Sequence, residues 1–350
     1  MVRDPARSAA DASSSAPDRL PPPQFGHLRR MTGRMGLWEH ARYTTPRIEH
    51  GCCTDDNARG LVVISRETEP SPELLEIAAI YLAFVREAGS AHDGFHNRRN
   101  AEGAWTDVQG SDDSQGRALW GLGSVAHSAL PTEMRDTALE LFVEKLDFHS
   151  PSPRANAFVV LGAAEVLETS PGHPRALSAL ERSVAVIQPR SDTRWPWPED
   201  RTAYDNARLP EALLAAGASL DNTGLVDSGL RLLKWLVAAE TSGDHFSFTP
   251  TRGWALGEVR PGFDQQPVEA AAMADACHRA WELTGDPDWK ERVLATSRWF
   301  LGANDSGAIL YDTRTGGGLD GLTADGANQN QGAESTLAAL STLQRAAMVR

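Results

Sequence analysis

Six times along this chain a short polar cluster opens directly into an Ala- and Leu-rich segment with helical spacing. The openings are Thr54-Asp55-Asp56-Asn57-Ala58-Arg59, Ser111-Asp112-Asp113-Ser114, Ser152-Pro153-Arg154-Ala155-Asn156, Tyr204-Asp205-Asn206-Ala207-Arg208, Asp264-Gln265-Gln266-Pro267-Val268-Glu269 and Asn330-Gln331-Gly332-Ala333-Glu334-Ser335. Between successive openings lies a second, amphipathic segment. Apolar periodicity predicts twelve helices, at 27–41, 55–66, 73–88, 113–128, 132–147, 154–168, 173–187, 205–219, 225–240, 267–284, 287–301 and 332–347. Strand-like pieces are confined to inserts at 94–105, 195–197, 245–249 and 308–311. A chain with this pattern must stack helical pairs.

The two helix types differ. Segments beginning at 73, 132, 173, 225 and 287 carry a charged face, with Pro72, Pro131, Pro174 and Pro287 at or near their starts. Segments that follow the polar openings are apolar nearly all round and rich in small residues, as in Ala212-Leu213-Leu214-Ala215-Ala216-Gly217. Small residues suit helices packed closely inside a ring. Six outer–inner pairs predict an all-α, (α/α)6 toroid, with segment 27–41 as the outer partner that closes it. An open solenoid has more regular repeats and shorter turns. Here the connections into the inner helices are long and rich in Trp, Gly, Asp and Asn, as functional loops are.

The formal charge of −13 and the pI near 5.2 argue against a nucleic-acid partner. No apolar run approaches the ~20 residues that span a bilayer. Three cysteines make no disulfide framework, and residues 1–10 carry charge without the apolar centre of a secretory signal, so a reducing, cytoplasmic setting is expected. Residues 1–24 read as a disordered tail, and 25–350 as a single catalytic domain.

The segments Cys53-Thr54-Asp55-Asp56-Asn57-Ala58-Arg59, Trp195-Pro196-Trp197-Pro198-Glu199-Asp200 with Tyr204-Asp205-Asn206-Ala207-Arg208, and Asn330-Gln331-Gly332-Ala333-Glu334-Ser335 resemble the six-hairpin glycosidase superfamily. Within it, the resemblance is to bacterial glycosidase-like proteins associated with glycosyltransferases. It covers roughly residues 27–347. It implies the (α/α)6 fold and carbohydrate chemistry, in a superfamily of glycosidases, unsaturated glucuronyl hydrolases, polysaccharide lyases and sugar 2-epimerases. It does not by itself choose the reaction.

Glycoside hydrolysis uses one carboxyl group to protonate the leaving oxygen and a second to activate water or attack. Asp55, Asp56, Asp113 and Asp205 are the candidate catalytic acids. A lone Asp at a helix start is ordinarily a cap. A doubled acid leaves one carboxyl free, and adjacent carboxylates raise each other's pKa. Asp56 and Asp205 share the tetrapeptide Asp-Asn-Ala-Arg, so Arg59 and Arg208 stand one turn on and are expected to pair with them. That pairing would keep each carboxylate ionised. Asp112, Glu199, Asp200, Gln265, Gln331 and Glu334 are candidate sugar-binding groups, with Trp105, Trp195 and Trp197 as walls for apolar sugar faces. Gly316-Gly317-Gly318 reads as a mobile loop over the cavity. His92 and His96, four apart amid turn residues, do not read as a metal site. The expected substrate is an oligosaccharide, with no cofactor and no metal. The competing readings are a 2-epimerase-like isomerase working through histidines such as His50 and His278, a polysaccharide lyase, and a non-catalytic carbohydrate-binding protein.

Overall fold

The structure is a computed structural model that describes residues 20–90 and 94–350. Its helices are α1 Gly26–Met31, α2 Thr54–Ser65, α3 Pro72–Ala88, α4 Asp112–Ala126, α5 Thr132–Lys145, α6 Pro153–Thr169, α7 Pro174–Val184, α8 Arg208–Ser219, α9 Thr223–Ala239, α10 Pro267–Thr284, α11 Pro287–Phe300 and α12 Ala333–Met348. The even-numbered helices form an inner ring in which each touches the next and α12 returns to α2. Outside it, α3, α5, α7, α9 and α11 each pack on the inner helix that precedes them, and α1 packs on α12. This is the all-α (α/α)6 toroid expected from the alternation of apolar and amphipathic segments. The strands among the described residues are two residues long and lie in the connections, paired as short hairpins except where Cys52–Cys53 pairs with Arg98–Arg99 across α2 and α3. No described helix is long and apolar enough to cross a membrane.

Local chemistry sets the helix boundaries. The hydroxyls of Ser71, Ser111 and Ser152 accept hydrogen bonds from the backbone N–H of Leu74, Ser114 and Ala155, capping α3, α4 and α6. Gly285 ends α10 in the left-handed conformation, φ 68°. The inner ring is tight where glycines face each other. A Cβ on Gly123 of α4 would stand 2.2 Å from the carbonyl oxygen of Gly162 on α6.

Three expectations are corrected. The first helix stops at Met31, well short of residue 41. Residues 32–33 turn back to pair with 36–37 around Gly36, whose φ of 134° is closed to residues with a side chain, and Gly33 lies flat against the Trp38 ring. The Gly316-Gly317-Gly318 segment is no mobile cover. Residues 317–318 pair with 311–312, and a Cβ on Gly318 would meet the Ser335 carbonyl oxygen at 2.1 Å. Of the expected tail, residues 1–19 lie outside the described residues, while residues 20–24 belong to the fold. Leu20 is in the core and the Gln24 N–H donates to the Tyr311 hydroxyl.

The Gly123–Gly162 contact predicts an inverted substitution effect. In an open helix Gly→Ala gains ~1 kcal/mol. Gly123→Ala is expected to lose roughly 1–3 kcal/mol instead, because the added methyl must force two backbones apart. The measurement is the urea midpoint, and an unchanged or raised midpoint would show that α4 and α6 can spread freely.

Candidate active site

A cavity of about 440 Å³ opens at the end of the ring where the inner helices begin. Asp55, Asp56 and Arg59 reach it from the first turns of α2, Arg117 from α4, Val268 from α10 and Glu334 from α12. Its size falls within the ~300–1,000 Å³ of ordinary small-molecule sites. Each helix start leaves backbone N–H groups unpaired inside the helix, so acids there are stabilised by the local dipole.

The carboxyl groups divide by charge state. Burial works against ionisation of Asp55, but Arg117 and Arg59 outweigh it and hold its pKa below the usual carboxylate value. Its Oδ1 accepts from Arg117 Nη1 at 3.0 Å and its Oδ2 from Asn97 Nδ2 at 2.9 Å. Asp56 goes the other way. Burial pushes its pKa up to about 7 against the pull of Arg59, helped by the Glu334 and Glu39 carboxylates. Arg59 Nη1 donates to its Oδ1 at 2.8 Å, and the Cys53 thiol donates to its Oδ2 at 3.2 Å. Asp56 and Arg59 thus pair as expected, yet the carboxyl is not held ionised, because two neighbouring carboxylates add to its burial. The Cys53 thiol is itself pushed well above its usual pKa by burial and Asp56, so it is a donor and no nucleophile.

Below the cavity the ring narrows to a space of about 30 Å³ beside Arg59, Asp205 and Arg208. Charges alternate down this axis. Arg117 Nη2 donates to Asp205 Oδ2 at 2.9 Å, and Arg208 Nε lies 3.4 Å from Asp205 Oδ1. Arg208 Nη1 then reaches Glu211 and Asp275, each at 2.7 Å. Asp275 on α10 also takes Arg66 Nη2 at 2.8 Å and Arg345 Nε at 2.7 Å. Arg117 and Arg208 stack on the rings of Phe158 and Trp120, 4.5 Å away in each case. Asp205 stands before α8 in the left-handed region, φ 51°. The buried Glu269 carboxylate holds that turn by accepting from the backbone N–H of Asp205 and Asn206 at 2.5 and 3.1 Å.

The expected site residues therefore separate. Asp55, Asp56, Arg59 and Glu334 line the cavity, and Asp205 and Arg208 lie directly beneath it. Asp113 joins from the side, accepting a hydrogen bond from the Tyr204 hydroxyl and standing 3.5 Å from Arg117. The others go elsewhere. Trp195 and Trp197 are buried in an aromatic cluster with Trp235 and Trp254, so they offer no ring face to a ligand. Glu199 pairs with Arg154, and Asp200 is exposed beside Arg190. Asp112 is exposed and accepts from the Ser150 hydroxyl. Trp105 stacks on His96. Gln265 is buried, accepting from the Phe248 N–H and Trp299 Nε1 and donating to Asp305. The Gln331 side chain is spent on Thr315 and Asp312. His92 lies outside the described residues.

Sequence reasoning missed Glu39, His40, Arg98, Tyr204, Gln266, Asp320 and Ser335, which also line the cavity. Arg98 holds Glu39 through two bonds of 2.6 and 2.9 Å. Asp320, raised in pKa by burial, accepts from the Gly332 N–H at 2.7 Å. Its one sequence signal is a place just after the triple glycine, where a tight approach to α12 occurs.

No known protein family matches the chain by sequence, nor does any curated protein. Solved structures do match. A sugar epimerase from a ruminal bacterium shares 14% identity over 90% of this chain and 94% of its own, with a TM-score of 0.69. Cellobiose 2-epimerase from Bacillus thermoamylovorans shares 11% over 92% and 96%, with a TM-score of 0.70. The cellulase Cel9M of C. cellulolyticum shares 10% over 89% and 86%, with a TM-score of 0.57. These structures share the (α/α)6 toroid of this chain. Within that toroid, Asp275 gathers three arginines from three other inner helices. Asp275→Asn leaves the buried Arg66 without its paired carboxylate and takes one of the counter-ions from Arg208 and Arg345, and is expected to cost roughly 3–5 kcal/mol. Guanidinium chloride unfolding checks this, and a loss below ~1 kcal/mol would remove Asp275 as the tie of the ring.

Proposed function

We propose that this chain is a glycoside hydrolase acting on a short oligosaccharide. The observation that carries the reading is one cavity holding Asp56, with its pKa pushed up to about 7, beside the ionised Asp55. Two carboxyl groups held in opposite protonation states are what acid–base hydrolysis requires. In this reading Asp56 gives its proton to the glycosidic oxygen as the bond to the anomeric carbon breaks. Water adds to that carbon and its proton passes to Asp55. Glu334, one-third exposed and tied to Arg59 through one oxygen, receives a sugar hydroxyl. The cavity has charged walls and, besides the His40 imidazole, one aromatic side chain, Tyr204, so hydroxyl hydrogen bonding supplies more of the recognition than ring stacking.

A 2-epimerase-like reaction is the second reading, favoured by His40. It lines the same cavity, and its Nδ1 stands 3.1 Å from His50 Nδ1, so one imidazole can relay a proton to the other. Among the solved structures of like fold are cellobiose 2-epimerases and a D-mannose isomerase. His278 does not support this reading. It is buried on α10 beside Glu282, away from the front cavity.

A panel of neutral disaccharides and trisaccharides separates the two. Hydrolysis creates new reducing ends and is expected to fall about 10²–10⁴-fold in Asp56→Asn. Epimerisation leaves the number of reducing ends constant, changes the anomeric NMR signals, and should disappear in His40→Asn. Full hydrolysis by Asp56→Asn would overturn the assignment of the acid.

The pH dependence has a defined sign. Asp56 is active as the protonated group, so activity should fall as pH rises through about 7. Asp55 must stay ionised, so the acidic limb should lie below the usual carboxylate pKa. A pH–rate profile flat from 6 to 8 would rule out Asp56 as the group that titrates.

A further inference from the structure

The ring is open at both ends. On the face opposite the candidate active site, where the inner helices finish, lies a second cavity of about 480 Å³. The two are distinct chambers: Val62 and Trp120 border both the narrow neck and this rear cavity, while the neck meets the front cavity at Arg59, Val268 and Glu334. The proposed reaction uses no residue of the rear chamber.

Its lining holds polar capacity that the protein leaves unused. Arg279 is the clearest case. Its side chain is 19% exposed, and it forms no hydrogen bond with a described residue. The nearest carboxylate oxygens, Glu165 Oε1 and Glu211 Oε1, are each 3.9 Å away, beyond hydrogen-bonding reach. Its Nε is buried without a hydrogen-bond partner, and a buried unpaired donor in a native fold calls for an explanation. Ser65 Oγ, at the same cavity, is likewise buried without a partner.

The charges define the ligand. Three arginines, Arg66, Arg279 and Arg345, stand among four glutamates, Glu165, Glu168, Glu211 and Glu282. Arg66 and Arg345 are committed to Asp275, so they are poor anchors for an added anion. The six helix C-termini around the chamber add partial negative charge, which also disfavours anions. A simple cation meets Arg279 at the centre of the acids. A hydroxyl suits this mixture, because it accepts from a guanidinium N–H and donates to a carboxylate at once. Leu283 and Met348, both exposed at the rim, add an apolar edge suited to the C–H face of a ring.

We propose that the rear cavity is a second binding site, for a neutral polyhydroxylated ring of one or two units, held between Arg279 and the glutamates Glu165 and Glu211. This site stands independently of the reaction assigned to the front cavity.

The test uses the full chain and two probes, myo-inositol and cellobiose. Myo-inositol has no anomeric carbon, so it cannot be hydrolysed or epimerised, and its binding is separable from front-site chemistry. In the unaltered chain, hydrogen–deuterium exchange should show saturable protection at the C-terminal ends of α2 and α4 with either probe. Calorimetry should show the affinity at this site falling at least tenfold in Arg279→Leu and in Ser124→Trp, which fills the chamber from a second element. Glu334→Ala, in the front cavity, should leave the rear affinity unchanged. The proposal is overturned if neither probe protects those helix ends in the unaltered chain. It is equally overturned if folded Arg279→Leu and Ser124→Trp bind the probes as the unaltered chain does. The exchange measurement decides the matter even where a variant fails to fold.

Discussion

Asp275 is the point on which the inner ring depends. It projects from α10 and receives Arg66 from α2, Arg208 from α8 and Arg345 from α12, each within 2.8 Å. Four of the six inner helices are therefore fixed against one carboxylate. Buried ion pairs add little net stability compared with apolar packing, because desolvation offsets most of the attraction. Their geometric demand is strict. Each guanidinium must arrive at one depth along the axis, so each helix is held in register. From this hub the alternation Arg208–Asp205–Arg117–Asp55 climbs to the front cavity. The ionisation of Asp55 is thus tied to the same contacts that align the helices.

The ring closes around this column because its inner helices are built from small residues. Gly123 and Gly162 let α4 and α6 approach with backbones nearly touching, and Gly116 does the same against Ala155. The inner helices bury almost their whole circumference, which explains why their sequences show little amphipathic stripe. The outer helices are half exposed, and among them α7 and α9 keep a marked stripe. The contrast between the two patterns is a direct imprint of position in the ring.

That imprint is why the fold was legible in the sequence. Eleven of the twelve helices lie within three residues of their periodic segments at both ends, among them α10 at 267–284, because a 3.6-residue period and a cap are local properties. The α1 boundary was not legible, since Met35 and Trp38 keep helical spacing while Gly33 and Gly36 form a hairpin. The site was legible only where it coincides with helix starts, at Asp55, Asp56, Arg59 and Glu334. His40 and Asp320 come from connections placed by distant contacts, such as the Asp320 bond to Gly332, and carry no periodic signal. Trp195 and Trp197 look like loop aromatics along the chain, but Trp235 from α9 and Trp254 from a later insert cover them. Gln265 and Gln331 sit in the polar openings, yet the polar groups around them in the connections consume their side chains.

The repeated Asp-Asn-Ala-Arg tetrapeptide shows how far a motif can carry chemistry. Both copies place an arginine within reach of the aspartate three residues before it, at 2.8 Å for Asp56 and 3.4 Å for Asp205. Both aspartates are almost completely buried. Their charge states nevertheless diverge, because their other neighbours differ. Asp205 has a second arginine, Arg117, and sits on a left-handed turn held by Glu269, and its pKa is lowered. Asp56 has one arginine against the carboxylates of Glu334 and Glu39, and its pKa rises to about 7. Identical local sequence therefore yields an ionised strut in the axial column and a carboxyl of raised pKa on the cavity wall. The difference is set by which distant carboxylates and guanidinia the closed ring brings to each, so charge states in this toroid follow from the partners across the ring and not from the opening motif itself.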